Sequence, residues 1–201
     1  MDRQGFLKLL GSQLHPILRR EGFKGSGATL RRIDGDLIHV FNFQGSKSGT
    51  ECYLNVGAHL SFLPPEGGLS IAVEAIEEPD CVFRGRIESP SGRAHGWAYG
   101  NSTEEAERCV EQIVQGWATQ GHSFFGRYAS FPDSFVRLLQ DTQPTAVHAR
   151  VDLHLARIAA HLGRRDDVIA FARAGLASAH ERATLLRQDL EELLAAHGES
   201  A

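Results

Sequence analysis

The sequence predicts an α+β fold: a mostly antiparallel sheet of four to five strands packed against helices, followed by a C-terminal helical hairpin. Three observations carry this. In Ile38-His39-Val40-Phe41-Asn42-Phe43-Gln44, apolar residues alternate with His, Asn and Gln, the pattern of a strand with one buried face. Short polar turns at Asp34-Gly35-Asp36 and Gly45–Gly49 separate this stretch from its neighbours, and strands joined by turns this short pair antiparallel. From Thr145 onward the chain is Ala-rich, with apolar residues at helical spacing.

Taken in order, Phe6, Leu9, Leu10, Leu14, Ile17 and Leu18 make one apolar helix face that stops at Gly22, where a C-terminal cap is expected. Pro16 lies inside it, so either a kink or two abutting helices is expected, because proline lacks an amide donor and crowds the preceding turn. Thr29–Ile33 and Leu37–Phe43 form the first two strands, joined at Asp-Gly, a hairpin signal. Cys52–Leu60 is the third. Residues 63–80 are irregular, with Ile71, Val73 and Ile76 available to pack on the sheet. Cys81–Ile87 is the fourth strand and Gly96–Tyr99 a short fifth. Ser102-Thr103-Glu104-Glu105 starts a helix, a hydroxyl capping its free amides, and its apolar face, Val110, Ile113, Val114 and Trp117, continues to Gly121. A shorter helix follows from Ser130-Phe131-Pro132-Asp133 through Leu139. Thr145–Leu162 and Asp166 to about His197 are helical, separated at Gly163, with a second break near Ser178–Arg182. Ala156, Gly163, Val168, Ala172 and Gly175 resemble one tetratricopeptide-like hairpin, and a solenoid needs about three such repeats. The expected organisation is an α+β domain over 1–142 and a helical appendage over 143–201 packed on it.

Composition is that of a soluble globule, 42% apolar and 23% charged. No stretch approaches the roughly 18 apolar residues of a membrane span, and the N-terminus leads into an amphipathic segment, so no membrane contact and a cytoplasmic location are expected. The net charge of −4 is unevenly spread: residues 51–120 hold four basic against eleven acidic side chains. That acidic middle argues against nucleic-acid binding, and the patch Arg19, Arg20, Lys24, Arg31 and Arg32 is a solvated helix end and turn. Cys52, Cys81 and Cys109 are too widely spaced for a disulfide framework or metal knuckle, and fit reduced, buried thiols.

The motifs that would carry chemistry are absent from the pattern. His148, His154 and His161 are six and seven residues apart, where helical metal ligands are three or four apart. No G-x-S-x-G elbow is present. Cys81 beside His39 or His59 across the sheet would be the one thiolate pair available. Gly22-Phe23-Lys24-Gly25-Ser26-Gly27 follows a helix and lacks the Gly-Lys-Ser/Thr ending of a phosphate loop. No catalytic residue, metal or cofactor is therefore expected. A candidate ligand-binding set remains: Asn42, Gln44, Asn55, Arg84 and Arg86. Arg84 and Arg86 share a sheet face and could fork onto an anion, or pair with Glu74, Glu77, Glu78 and Glu88. Trp97, Tyr99, Trp117, Phe124, Phe125, Tyr128 and Phe131 are expected to join sheet to helices.

One set of motifs occurs in a fixed order: Gly22-Phe23-Lys24, Arg31-Arg32, Val40-Phe41-Asn42-Phe43-Gln44, Asn55-Val56-Gly57, then Cys81-x-x-Arg84-x-Arg86 and Trp97. In this it resembles the family called domain of unknown function 4304, over roughly residues 5–140. The resemblance implies an antiparallel sheet flanked by helices and transfers no catalytic residue.

The functional expectation is a non-catalytic, protein-binding module, immunity-like or scaffolding, with a protein partner and neither membrane nor nucleic acid. The alternative is a small-ligand receptor or enzyme using the polar sheet face around Asn42, Gln44, Asn55, Arg84 and Arg86.

Overall fold

A computed structural model of the chain opens on helix α1 (Arg3–Arg20), whose one-turn repeat Phe6, Leu10, Leu14 and Leu18 is buried along one face. Each such side chain contributes about 1.5–3 kcal/mol when removed from water. Pro16 sits inside this one continuous helix, so the expected alternative of two abutting helices does not form. The helix closes in a Schellman motif: the Gly22 amide donates to the Arg19 carbonyl and the Phe23 amide to that of Leu18. The structure describes residues 2–64, 71–92, 96–145 and 148–198, and these form two units, Met1–Ala129 and Ser130–Ala201.

In the first unit, β1 (Thr29–Asp34), β2 (Leu37–Gly45), β3 (Glu51–Leu60) and β4 (Phe83–Ile87) lie in that order in one antiparallel sheet. A two-residue strand, β5 (Trp97–Ala98), pairs with β3 beyond the end of β4. The β1–β2 turn is Gly35-Asp36, and Gly35 alone has positive φ (+56°), where a II′ hairpin turn places its glycine. Strand β4 begins two residues later than its sequence suggests. Glu78–Asp80 forms a 3₁₀ turn that carries Cys81 inward before the strand starts. Residues 65–70 of the expected irregular stretch lie outside the described residues.

Alternation along the strands gives the sheet two unlike faces. One carries Leu30, Phe41, Phe43, Leu54, Val56 and Ile87, all buried. Helix α2 (Thr103–Gly116), a π-helical turn (Trp117–Gly121) and α3 (His122–Arg127) cover it. Ser102 caps α2 by accepting from the Glu105 amide. The aromatic residues do join sheet to helix: Trp117 meets Phe41 and Phe23 edge-on at 5.6 and 5.7 Å, and Phe125 lies 4.7 Å from the His39 ring. The other face is half covered. Ile38 and Val40 pack under Ile76 and Cys81, with Ile71 and Val73 at the margin.

The second unit holds α4 (Asp133–Asp141), α5 (Ala149–His161), α6 (Arg165–Ser178) and α7 (Thr184–His197). Helices α5 and α6 form the hairpin, and α7 packs on both, with Leu153, Ala156, Val168, Ala172 and Leu190 buried. Gly175 is the close contact: a Cβ there would lie 2.9 Å from a Leu190 methyl. Arg157 and Asp189 pair at 2.9 Å. Phe131 belongs to this unit and lies 5.7 Å from Phe135. Residues 146 and 147, inside the helix expected from Thr145, lie outside the described residues. Among the described residues no helix is long and apolar enough to cross a membrane.

Candidate functional site

The open half of the second sheet face is built on one cross-strand row. Asn42 of β2 stands opposite Asn55 of β3, and Asn55 opposite Arg86 of β4. Gln44 and Arg84 lie two residues away on the same strands and so on the same face. Sequence spacing alone could not show that four of these five expected residues are neighbours. The Asn55 side-chain amide donates to Gln44 Oε1 (3.0 Å) while its oxygen accepts from Arg86 Nε (3.1 Å). Asn42 donates to the Thr29 hydroxyl at 2.9 Å. The Arg86 guanidinium lies over Tyr53, 4.5 Å from the ring centroid, and the Tyr53 hydroxyl donates to Glu51 at 2.9 Å, which raises its pKa. Arg84 is placed differently. It forks onto the buried carboxylate of Glu78 at 2.7 and 3.3 Å, as the ion-pair alternative supposed.

Arg84 and Arg86 also form one wall of a cleft of about 480 Å³ at the outer edge of β4. Its floor is apolar, Val56, Gly85 and the Phe124 ring; its far wall is the π turn and α3, with Gln120, Ser123 and Arg127. Arg84, Arg86 and Arg127 thus line one space together with Glu88, while the Arg84 and Arg86 head groups turn to the opposite sheet face, onto Glu78 and over Tyr53. A second cavity of about 470 Å³ continues along the edge, sharing Glu88, Thr119 and Gln120 with the first. Asn42, Gln44 and Asn55 do not line either. Arg127 and Gln120 were not expected from sequence. The available signal was Gly85, since a glycine inside a strand marks close approach: a Cβ there would meet the Phe124 ring at 2.9 Å.

On the helix-covered face lies a separate polar network. His39 Nδ1 accepts from the Arg32 guanidinium at 2.7 Å, and Nε2 lies 2.8 Å from the Tyr128 carbonyl, an arrangement that the neutral imidazole satisfies. Burial, and secondarily the Arg32 charge, lowers its pKa to about 4. Arg32 in turn donates to the Glu21 carbonyl and lies 5.1 Å from the Phe23 ring centroid. The Glu21 carboxylate accepts from Trp117 and stands 3.0 Å from His122. Arg19 and Arg31 of the basic patch are likewise engaged: Arg19 reaches the Phe23 and Gly25 carbonyls, and Arg31 those of Ile76 and Ala75.

The supposed Cys81–His39 pair does not form, because the two project from opposite sides of the sheet. Cys81 covers Gly57 on the face of Val40 and donates to the Glu77 carbonyl at 3.4 Å. Burial raises the Cys81 and Cys52 thiols far above the ordinary range and pushes Cys109 up to about 11. His59, on the same face as Val40, stands 3.2 Å from the Leu63 carbonyl. In the second unit the Asp152 carboxyl is buried with one oxygen unpartnered among the described residues, and burial raises its pKa. Among the described residues no group of three His, Cys, Asp or Glu side chains is placed to hold a metal ion.

Comparison with curated proteins and with solved structures returns no match. The model of one family, described as Domain of unknown function (DUF4304), matches residues 14–127, which take in the last two turns of α1, the whole sheet and α2–α3, including every residue of the arginine cleft. The chain belongs to the DUF4304 family.

Proposed function

We propose that this protein is a cytoplasmic, non-catalytic protein-binding module, immunity-like or scaffolding in kind, and that it holds its partner at the arginine cleft beside β4. The observation that carries this reading is the gathering of Arg84, Arg86 and Arg127 around an apolar floor at an outer strand. Arginine presents a rigid fork of donors that matches carboxylates, and an apolar centre with a charged rim is the usual anatomy of an interface. The cleft runs on into a second cavity, a shape suited to an elongated ligand. The groups best suited to nucleophilic or acid–base work are held in other roles, the thiols by burial and His39 by Arg32 and Tyr128. Three free thiols suit a reducing compartment. Asn42, Gln44 and Asn55 spend hydrogen bonds on Thr29, Arg86 and one another, which favours a supporting role under Arg86.

The test is affinity capture from native lysate with the wild-type chain and with Arg127→Glu. A stoichiometric protein retained by the first and lost by the second is the expected result. Retention of a small molecule alone would replace this reading with the receptor or enzyme alternative.

A further inference from the structure

Gln120 already does to the edge of β4 what a neighbouring strand would do. Its side-chain oxygen accepts from the Glu88 amide at 2.8 Å, and its side-chain nitrogen donates to the Glu88 carbonyl at 3.1 Å. The Glu88 peptide groups therefore point outward, toward the π turn. One residue earlier the Ile87 carbonyl points the other way, accepting from the Trp97 indole at 3.1 Å, and Trp97 lies in β5 on the β3 side. Peptide groups of residues two apart on a strand share a side. Continuing the alternation inward, Arg86 turns its N–H and C=O outward into the cleft, and β4 is the last strand on that side of the sheet order.

We infer that the outer edge of β4 is a strand-addition site, taking an extended segment of a partner protein that carries Asp or Glu at alternate positions. The inference rests on the binding module proposed above and names the partner of that site. Main-chain bonds to the edge supply register, and side chains of one face of the added strand meet Arg84 and Arg86. Charge selects the occupant. A second copy paired through its own β4 would set arginine against arginine, which is how natural edges discourage self-association. A nucleic acid has no alternating amide and carbonyl to pair with the strand.

The experiment pans the full chain against a phage-displayed library of random eight-residue peptides. The best binder is then synthesised plain and N-methylated on either alternate set of residues. Enriched peptides are expected to carry acidic residues at alternate positions. One methylation set should weaken binding at least about tenfold, equivalent to one or two main-chain hydrogen bonds, and the other should not. Amide exchange at Arg86 should slow on peptide addition, and Arg86→Glu, checked for an unchanged melt, should bind at least about tenfold less tightly. No enrichment, enrichment without acidic residues, equal tolerance of both methylation sets, or unchanged exchange at Arg86 each overturns strand addition. So does tighter binding of a single-stranded oligonucleotide, or a dimer that itself protects Arg86. Partner capture that depends on Arg127 would survive these failures, so the two readings fall separately.

Discussion

Gly57 lies at the middle of the sheet under Cys81, and a Cβ added there would stand 2.7 Å from Sγ and 2.9 Å from the Cys81 Cβ. The contact explains both residues as packing. The thiol is raised by burial, and its nearest role is to fill the space above a residue without a side chain. Gly57→Ala is expected to cost about 1–3 kcal/mol by overpacking. The cost should shrink in a Cys81→Ala background, since residues in contact couple by about 0.5–3 kcal/mol. Urea denaturation of the four-member cycle measures this, and equal cost in both backgrounds would show that the Cys81 contact is not what Gly57 protects. Gly85 makes the same kind of contact with Phe124, and there the space left over its backbone exposes the cleft floor.

The helix after β5 shows an element-scale departure. Its apolar periodicity runs to Gly121, yet Trp117–Gly121 winds as a π turn between α2 and α3, a local widening found often at functional sites. Trp117 and Gly121 face the core while Thr119 and Gln120 face the cleft. Gln120→Ala removes both hydrogen bonds to the Glu88 peptide groups. We expect a stability loss of no more than about 1 kcal/mol, the loss being of exposed bonds, together with faster amide exchange at Glu88. Unchanged exchange at that amide would mean Gln120 does not hold the strand end. The periodicity of α1, the Asp-Gly turn and the helix start at Ser102-Thr103 were legible because each is a local preference. The π turn was not, because one extra residue in a helix leaves the apolar spacing nearly intact.

At the scale of the whole molecule, the Arg32–His39–Tyr128 network ties folding to pH. An unfolded histidine titrates near 6.5, and His39 in the fold at about 4. Between these values the unfolded chain binds a proton that the native chain refuses, so stability falls as pH drops through that window, by an order of 3 kcal/mol in all. His39→Gln should flatten the wild-type loss between pH 6.5 and 4 in denaturation series, and an identical slope in the variant would remove His39 as its source. Asp152, raised by burial in the second unit, acts in the opposite sense: its contribution weakens as pH rises. The sequence by itself determined the α+β class, the order and type of nearly every element, the family motifs and the sharing of one face by Arg84 and Arg86. These follow from side-chain period and turn chemistry, which are properties of neighbouring residues. Only the tertiary structure decided that Asn42, Asn55 and Arg86 form one row, that Cys81 and His39 lie on opposite faces, and that Arg127 and Gln120 join the edge of β4. Register and the docking of a helix on a sheet bring together residues far apart in the chain, and no local pattern encodes which will meet.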